Sequence, residues 1–414
     1  MRPDDESRVV ITGIGVLSPF GMGKKLFWDA LAAGRSGIKP VTLFDTSAMR
    51  SKTAGEISDF KAEDILGPKG LRNLDRTTLL ALCAAKLCLD DADFQITEGN
   101  ANRVGVVLGT TMGSVWSISE FDKEGLRNGP RAVNPAAFPN TVMNAPASQI
   151  SIRFGIKGFN TTISSGFTSS LDALMYAETF LTLGRADAVL VGGVEELCEQ
   201  TFKGLYKLGF LSGSKGRGSE RCTPFDRMRN GVVLGEGASL FLIERYSSAK
   251  RRNARVYAEV RSVETAFDRK SYYRYNPRAE GAKIAAKKAI EASGIPADKI
   301  GYITTGANST LDGDLAEVRA LHNLFARKLM VNAIKSMIGE TLSASGAFQV
   351  ASALLGMQEN VVPPTINFTE ADERCPSIDC VPNEARRLQT DSILVTNLSP
   401  MGQNAAVVLS RVGA

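Results

Sequence analysis

The sequence predicts an α/β protein made of two similar halves, residues 1–250 and 251–414. Both halves show one order of elements: strand, helix, strand, turn, strand, a tight small-residue turn into a helix, and closing strands. Near residues 246–255 the composition shifts to Ser, Lys and Arg, and the order then begins again. A tandem repeat is the simplest explanation of one order of strands and helices that occurs twice in a chain.

The elements of the first half are predicted from short β-branched or apolar runs and from longer Ala/Leu-rich runs. The predicted strands cover residues 9–14, 104–108, 188–195 and 235–244, and the predicted helices cover residues 27–33, 71–92 and 171–183. Residues 134–148 contain three prolines. We expect this segment to be a loop at an interface or a pocket wall.

The second half repeats these patterns. The predicted strands cover residues 255–262, 302–305, 329–335, 393–397 and 405–410, and the predicted helices cover residues 280–293 and 347–357. A second small-residue turn occupies residues 335–346. If the halves are related by a pseudo-twofold axis, this turn faces the corresponding turn of the first half.

Composition and charge exclude several classes of function. Hydrophobic content of 43% and charged content of 22% are ordinary for a soluble globular protein. The net charge of +5 comes from 49 basic and 44 acidic residues that are mostly spread along the chain, which argues against a nucleic-acid partner. The amino terminus has no apolar signal core, and no uncharged run approaches the length of a membrane span. We therefore expect a cytoplasmic protein that does not contact a membrane.

The cysteine and histidine content gives no indication of a metal site. The six cysteines form no close metal-ligand pair, so we expect free thiols rather than zinc ligands or a disulfide. The single histidine, His322, follows Glu317 on a predicted helix.

Residues 160–174 have the composition of a strand, a tight turn and a helix. Gly166 allows the turn to tighten, and the helix that follows offers free N–H groups at its start. A reactive side chain is expected at the tip of such a turn, but the residue there is Phe167. We expect Phe167 to fill core volume, and lining a tunnel is compatible with that role.

Several motifs resemble those of the thiolase fold and, within it, of the β-ketoacyl synthases. The motifs are Val-Ile-Thr-Gly-Ile-Gly-Val-Leu-Ser-Pro at residues 10–19, Arg-Asn-Leu-Asp-Arg at 72–76, Pro-Phe-Asp at 224–226 with Gly231 and Leu-Gly-Glu-Gly at 234–237, Ser309-Thr310 with Gly313-Asp314 and Glu317, and Lys-Ser-Met-Ile-Gly at 335–339. The resemblance covers nearly the whole chain. It implies a thiolase-like fold in which duplicated five-stranded α/β halves stack in α-β-α-β-α layers.

The chain differs from this family at the residues that carry out the family's reaction. Active members carry a cysteine that attacks an acyl thioester and two histidines that stabilise the enolate and its oxyanion. Placed by motif, the cysteine position holds Phe167, the first histidine position Gly306 and the second Glu340. The resemblance therefore implies that the chain has no catalytic residues of its own for this condensation.

The resemblance also assigns roles around these three positions. Lys335 and Glu317 match the residues of a structural ion pair near the site, although Lys335 could instead bind a phosphopantetheine-linked acid. The late loop at residues 397–404 is shorter than in the family and lacks its gating phenylalanine. The residues expected to line the acyl tunnel or the dimer interface are Met112, Phe138, Met143, Phe167 and Met401.

The function that the resemblance implies is that of a chain length factor, the noncatalytic partner of a type II polyketide ketosynthase. Leu-Asp-Ala-Leu at residues 171–174 also resembles these proteins. The expected partners are a Cys-containing ketosynthase, as a heterodimer, and an acyl carrier protein. No cofactor is expected, and the phosphopantetheine thioesters of the carrier protein would be used through the ketosynthase.

Two alternative functions belong to other classes. The chain could be a homodimeric thiolase-fold protein that binds an acyl group or a carrier protein. It could also be an acyltransferase that uses Ser164 or Ser165 as a nucleophile, with Glu340 as the only nearby candidate for the base.

Overall fold

The computed structural model describes residues 8–216, 218–269, 274–322, 324–325, 328, 330–375 and 378–413. Its strands are β1 Val9–Ser18, β2 Gly21–Met22, β3 Lys39–Pro40, β4 Thr53–Ala54, β5 Val104–Gly109, β6 Asn160–Ile163, β7 Ala188–Glu195, β8 Gly237–Arg245, β9 Ala258–Phe267, β10 Tyr302–Thr304, β11 Val331–Asn332, β12 Val361–Val362, β13 Arg386–Arg387, β14 Ser392–Leu398 and β15 Gln403–Ser410.

The α-helices are α1 Lys24–Ala32, α2 Glu63–Leu66, α3 Arg76–Asp91, α4 Val115–Asn128, α5 Ala145–Phe154, α6 Ser169–Thr182, α7 Glu199–Lys207, α8 Tyr246–Arg251, α9 Glu280–Ser293, α10 Leu311–His322, α11 Lys335–Ile338 and α12 Ser345–Glu359. Short 3₁₀ helices occupy Ala101–Arg103, Pro135–Thr141, Gly166–Thr168, Ala297–Lys299 and Leu342–Ala344.

The two halves contribute matching sets of five strands. The order in the first half is β6-β5-β7-β8-β1, and the order in the second half is β11-β10-β14-β15-β9. In each set the first three strands run parallel and the last two pair antiparallel. The sets join edge to edge where β1 pairs with β9, with Val9 opposite Val260. The predicted duplication into five-stranded halves is confirmed.

Helices α6 and α12 lie between the halves; α12 is almost entirely buried, and α6 is buried along one face. Each contacts strands of both sets, whereas α3 packs on β1 and β8 and α9 packs on β9 and β15. The backbone N–H of Ala347 donates to Ser170 Oγ at 3.0 Å, and a Cβ added to Gly346 would lie 2.5 Å from Leu171 Cγ. Small residues thus let α12 approach α6 closely. The five predicted layers are therefore present, with α6 and α12 as the central one.

Several predicted elements have other bounds in the structure; β1 extends to Ser18 and β9 covers Ala258–Phe267. Three further differences are the following. The predicted loop at residues 134–148 contains the 3₁₀ helix Pro135–Thr141 and the start of α5. Pro135 and Pro146 lie in first helical turns, where a missing N–H is tolerated, and Pro139 lies inside the 3₁₀ helix. Helix α3 begins at Arg76 and not at residue 71, since the Asp75 carboxylate caps it by accepting from Thr78 N at 2.7 Å.

The third difference concerns the strand predicted at residues 329–335. Strand β11 covers only Val331–Asn332, since α11 already begins at Lys335. Residue 329 lies outside the described residues. Helices α4 and α7 were not predicted, and both contribute residues to the cavity at the candidate active site.

Within the described ranges, no helix has the combination of length and apolar character needed to cross a bilayer.

Phe348 is fully buried on α12 in the central layer, with its ring 5.7 Å from that of Phe27. We therefore expect its truncation to destabilise the protein strongly. Phe348→Ala should lower the free energy of unfolding by about 3–5 kcal/mol, because it leaves a cavity between the halves. Urea unfolding followed by circular dichroism measures this. The matched control is Phe267→Ala, whose side chain is 63% exposed and should cost about 0.5 kcal/mol or less. Equal effects of the two variants would contradict this packing.

Candidate active site

The turn between β6 and α6 has the predicted construction. Gly166 adopts a φ of +72°, and the 3₁₀ helix Gly166–Thr168 leads directly into α6. Ser165 N donates to Ser169 Oγ at 3.0 Å, and Ser169 Oγ donates to the Gly166 carbonyl at 2.6 Å. These bonds hold Phe167 at the tip of the turn.

The second half repeats this turn before α12. Leu342 adopts a φ of +45°, a 3₁₀ helix covers Leu342–Ala344, and Thr341 N donates to Ser345 Oγ at 3.1 Å. The two 3₁₀ helices contact each other. The prediction that the two turns face each other is confirmed.

Phe167 is packed as a core residue. Its side chain is buried, belongs to a hydrophobic cluster with Phe202, Leu234 and Leu342, and lies edge-on to the Phe210 ring at a centroid distance of 6.2 Å. A phenyl ring offers no nucleophile, so a covalent thioester cannot form at this position.

The ammonium group of Lys335 lies at the centre of the site and is almost fully buried. Its Nζ donates to the Gly306 carbonyl at 2.9 Å, to Glu340 Oε2 at 2.9 Å and to Asn397 Oδ1 at 3.3 Å. Asn397 Nδ2 in turn donates to the Phe167 carbonyl at 2.8 Å. One cation therefore connects all three positions at which the chain departs from Cys-His-His.

The carboxylate of Glu340 is also fully engaged. Besides the Lys335 ammonium, Oε2 accepts from Asn308 Nδ2 at 2.8 Å. Oε1 accepts from Leu342 N at 3.0 Å and from the Ser345 hydroxyl. A carboxylate held by four donors from the protein is a structural anion and not a free base.

The predicted ion pair between Lys335 and Glu317 is wrong. In the described residues, the salt bridge of Lys335 is to Glu340, whose substitution for histidine puts a carboxylate beside the ammonium. Glu317 Oε1 instead accepts from Gly306 N at 2.8 Å and from Thr396 Oγ1 at 2.6 Å. Burial raises the pKa of Glu317 to about 7.

The hypothesis of a serine nucleophile activated by Glu340 also fails on geometry. Ser164 Oγ donates to the Thr111 carbonyl at 2.8 Å, and Ser165 Oγ donates to the Asp172 carboxylate. Neither serine is among the hydrogen-bond partners of Glu340, whose oxygens are committed to other donors. The sequence alone did not identify Asp172, one helical turn beyond the tip, as the neighbour of Ser165.

A mostly apolar cavity of about 190 Å³ opens beside Phe167. Among the described residues, nine apolar and three polar ones line it: Met112, Val115, Phe167, Leu205, Leu208, Phe210, Leu342, Pro400 and Met401, with Thr111, Glu195 and Thr201. Three of the five residues proposed for the tunnel or interface are thus on its wall, namely Met112, Phe167 and Met401. Phe138 and Met143 are not part of the lining and are 56% and 46% exposed.

Glu195 is a residue of this cavity that the sequence motifs do not indicate. It ends β7, is 4% exposed, and accepts hydrogen bonds from Thr111 Oγ1 at 2.7 Å and from the Ser343 hydroxyl. Burial raises its pKa to about 7. In the sequence, Glu195 could have been identified as an acidic residue at the end of an otherwise apolar strand.

The described residues contain no cluster of His, Cys, Asp and Glu that could hold a metal ion. The six cysteines are free thiols, as predicted, and the exposed His322 ends α10 on the surface.

Two family models together match most of the chain. The model of the β-ketoacyl synthase N-terminal domain matches residues 6–249, and the model of the C-terminal domain matches residues 257–369. The chain belongs to the β-ketoacyl synthase family. This confirms the family resemblance and the thiolase-like fold predicted from the sequence.

Individual relatives of this β-ketoacyl synthase family member align over the full chain. A 3-oxoacyl-[acyl-carrier-protein] synthase 2 of Coxiella burnetii is 35% identical and covers 99% of both chains. A protein of the same name from Vibrio cholerae is 32% identical and covers 98% of this chain and 99% of its own. The structure of the ishigamide ketosynthase/chain length factor superposes with a TM-score of 0.90 at 28% identity, over 98% of this chain and 99% of that one.

These relatives contradict the predicted function. The resemblance implies a noncatalytic chain length factor, whereas the full-length relatives at 32–35% identity are named as synthases. The structural neighbour is named for both a ketosynthase and a chain length factor, so that likeness does not separate the two. The substitutions at three positions favour a noncatalytic protein, whereas the similarity over the whole chain is to the synthases.

Gly306, at the first histidine position of this family, has no space for a side chain. A Cβ there would lie 2.7 Å from Asn397 Oδ1 and 2.9 Å from Asn397 Cα. The second atom is backbone, so the contact cannot be relieved by rotating a side chain. Gly306 therefore does more than remove an imidazole. Because it has no Cβ, it leaves room for Asn397, which accepts a hydrogen bond from Lys335.

The lack of space at Gly306 predicts that Gly306→Ala destabilises the protein by about 1–3 kcal/mol, because the added methyl displaces Asn397 from Lys335. Gly204→Ala is the matched control. Gly204 lies in α7 with no atom within 4 Å of an added Cβ, so the alanine should stabilise the protein by up to about 1 kcal/mol. Urea unfolding compares the two. A neutral or stabilising Gly306→Ala would contradict the close fit.

The buried Glu317 predicts a pH dependence of stability. The folded protein keeps a proton on Glu317 up to a pH near its pKa of about 7, whereas the unfolded chain releases it near 4.5. The folded state then binds more protons between these values, so stability falls as pH rises through this window. Glu317→Gln should remove up to about 1.4 kcal/mol per pH unit of that slope. Parallel curves of unfolding free energy against pH for both proteins would contradict this.

Proposed function

We propose that this protein binds the acyl chains of acyl carrier protein thioesters in the cavity beside Phe167, with the thioester intact and no covalent bond to residue 167. The observation that carries the proposal is the position of the cavity. It lies directly at the tip of the β6–α6 turn, where the family places its nucleophile, and its wall is mostly apolar.

The chemistry of the cavity wall supports an acyl ligand. Each methylene group moved from water into apolar surroundings contributes about 0.8 kcal/mol. Leu205, Phe210 and Leu342 offer such surroundings, and Phe167 forms one side of the wall. Since a phenyl ring cannot accept an acyl group, the ligand is bound by contact alone.

The names of the relatives support an acyl carrier protein as the carrier of the bound acyl chain. Both full-length relatives are named for acyl carrier protein substrates. Acyl carrier proteins are generally acidic, and a chain with a net charge of +5 suits such a partner.

Three further expectations from the sequence stay predictions. They are a Cys-containing ketosynthase as a dimer partner, the absence of a bound cofactor, and a cytoplasmic location. Whether the chain dimerises alone or with a ketosynthase is measurable by native mass spectrometry of the chain with and without that subunit.

The proposed acyl cavity predicts that filling it blocks binding. Leu205→Trp should weaken binding of octanoyl-pantetheine at least about tenfold, because the indole occupies the space of the chain. Isothermal titration calorimetry measures the dissociation constant. Leu183→Trp is the control: Leu183 is 63% exposed just after α6 and is not part of the cavity wall, so binding should be unchanged.

Two results would count against this function. One is equal binding by the wild-type protein and Leu205→Trp. The other is an octanoyl adduct on the wild-type protein, detected by intact mass after incubation with octanoyl-acyl carrier protein.

A further inference from the structure

Glu195 places a carboxyl group on the wall of the acyl cavity. The side chain is 96% buried, and the other polar members of the wall are the two threonines Thr111 and Thr201. A buried carboxyl in an apolar wall is costly unless its oxygens are hydrogen-bonded. A role for Glu195 in ligand binding rests on the proposed acyl-binding function and concerns the chemical class of the acyl group.

The hydrogen bonds of Glu195 all go to one oxygen. Oε2 accepts from Thr111 N at 3.1 Å, from Thr111 Oγ1 at 2.7 Å, from Ser343 N at 3.4 Å and from Ser343 Oγ. These bonds fix the orientation of the carboxyl. Oε1 receives no hydrogen bond from any residue that the structure describes, and it is not among the described buried atoms that are sealed without a partner.

The neighbouring Glu196 differs from Glu195, because both of its carboxyl oxygens have hydrogen-bond partners. Glu196 is equally buried, but its Oε1 accepts from Trp116 N at 3.0 Å and from Ser114 Oγ at 3.1 Å, and its Oε2 lies 3.2 Å from Ser114 Oγ. It lines a different cavity. Both carboxyls belong to the same turn of chain, yet only Glu195 presents an unpaired oxygen beside the acyl cavity.

A hydroxyl is the ligand group that fits this oxygen best. A hydroxyl both donates and accepts, so it can pair with Oε1 whether the carboxyl is ionised or protonated. Burial raises the pKa of Glu195 to about 7, so both forms are present near neutral pH. An ammonium would leave its remaining hydrogens facing apolar walls such as Met112 and Leu205, which is unfavourable.

We propose that the acyl chain bound in this cavity carries a hydroxyl group, which hydrogen-bonds to Oε1 of Glu195. A plain chain would cover the carboxyl oxygen and leave it without any partner. A site built around a hydrogen bond disfavours the analogue that lacks the hydroxyl, because the buried polar group of the protein is then unpaired.

The test compares octanoyl-pantetheine with its singly hydroxylated positional isomers on the wild-type protein. Calorimetry should show at least one isomer bound about tenfold more tightly than the plain chain. If every isomer binds no better than octanoyl-pantetheine, the hydroxyl proposal is overturned while the acyl-binding function stands. If neither the plain nor the hydroxylated chains bind, the acyl-binding function itself is wrong.

Two variants test whether Glu195 causes the tighter binding of the hydroxylated chain. Glu195→Met, close in size but apolar, should bind all isomers as it binds the plain chain, whereas Glu196→Gln should keep the wild-type preference. A preference that persists in Glu195→Met would place the hydroxyl elsewhere and overturn the assignment. Should Glu195→Met fail to fold, the ligand series on the wild-type protein still decides whether the cavity prefers a hydroxylated chain.

Discussion

The ammonium of Lys335 is the charge around which this site is organised. A cation with 1% of its side chain exposed is stable only if it is neutralised and its donors are satisfied. The structure meets both requirements with three acceptors: the Glu340 carboxylate, the Gly306 carbonyl and the Asn397 side chain. Because Asn397 also holds the carbonyl of Phe167, the tip of the first turn depends on the same cation.

The three departures from Cys-His-His therefore form one physical unit. Glu340 supplies the anion for Lys335, Gly306 leaves room for Asn397, and Phe167 packs into the hydrophobic cluster at the tip. Glu317 accepts hydrogen bonds from Gly306 N and Thr396 Oγ1. Of these three residues, Phe167 lines the cavity, whereas Gly306 and Glu340 do not.

Much of the fold could be predicted from the sequence, because strand and helix periodicity repeat in both halves and small residues mark both turns. The helical structure within residues 134–148 could not be predicted, because Pro135 and Pro146 in first helical turns and Pro139 within the 3₁₀ helix look like loop prolines in the sequence. The salt bridge of Lys335 was also missed: a family pattern with histidine at 340 makes Glu317 the expected partner, and only the structure shows which carboxylate is closer. The free oxygen of Glu195 could not be predicted, because it depends on Thr111 and Ser343, which are 84 and 148 positions away.

The function of the site now rests on one spatial relation, an acyl cavity next to a turn that cannot bind the acyl group covalently. The most direct measurement is a crystal structure of the protein with octanoyl-pantetheine. We expect electron density for the chain between Phe167 and Glu195, with no bond to the protein and with Lys335 still hydrogen-bonded to Glu340. Density that passes through the space of the Lys335–Glu340 pair, or that is continuous with a protein side chain, would contradict this account.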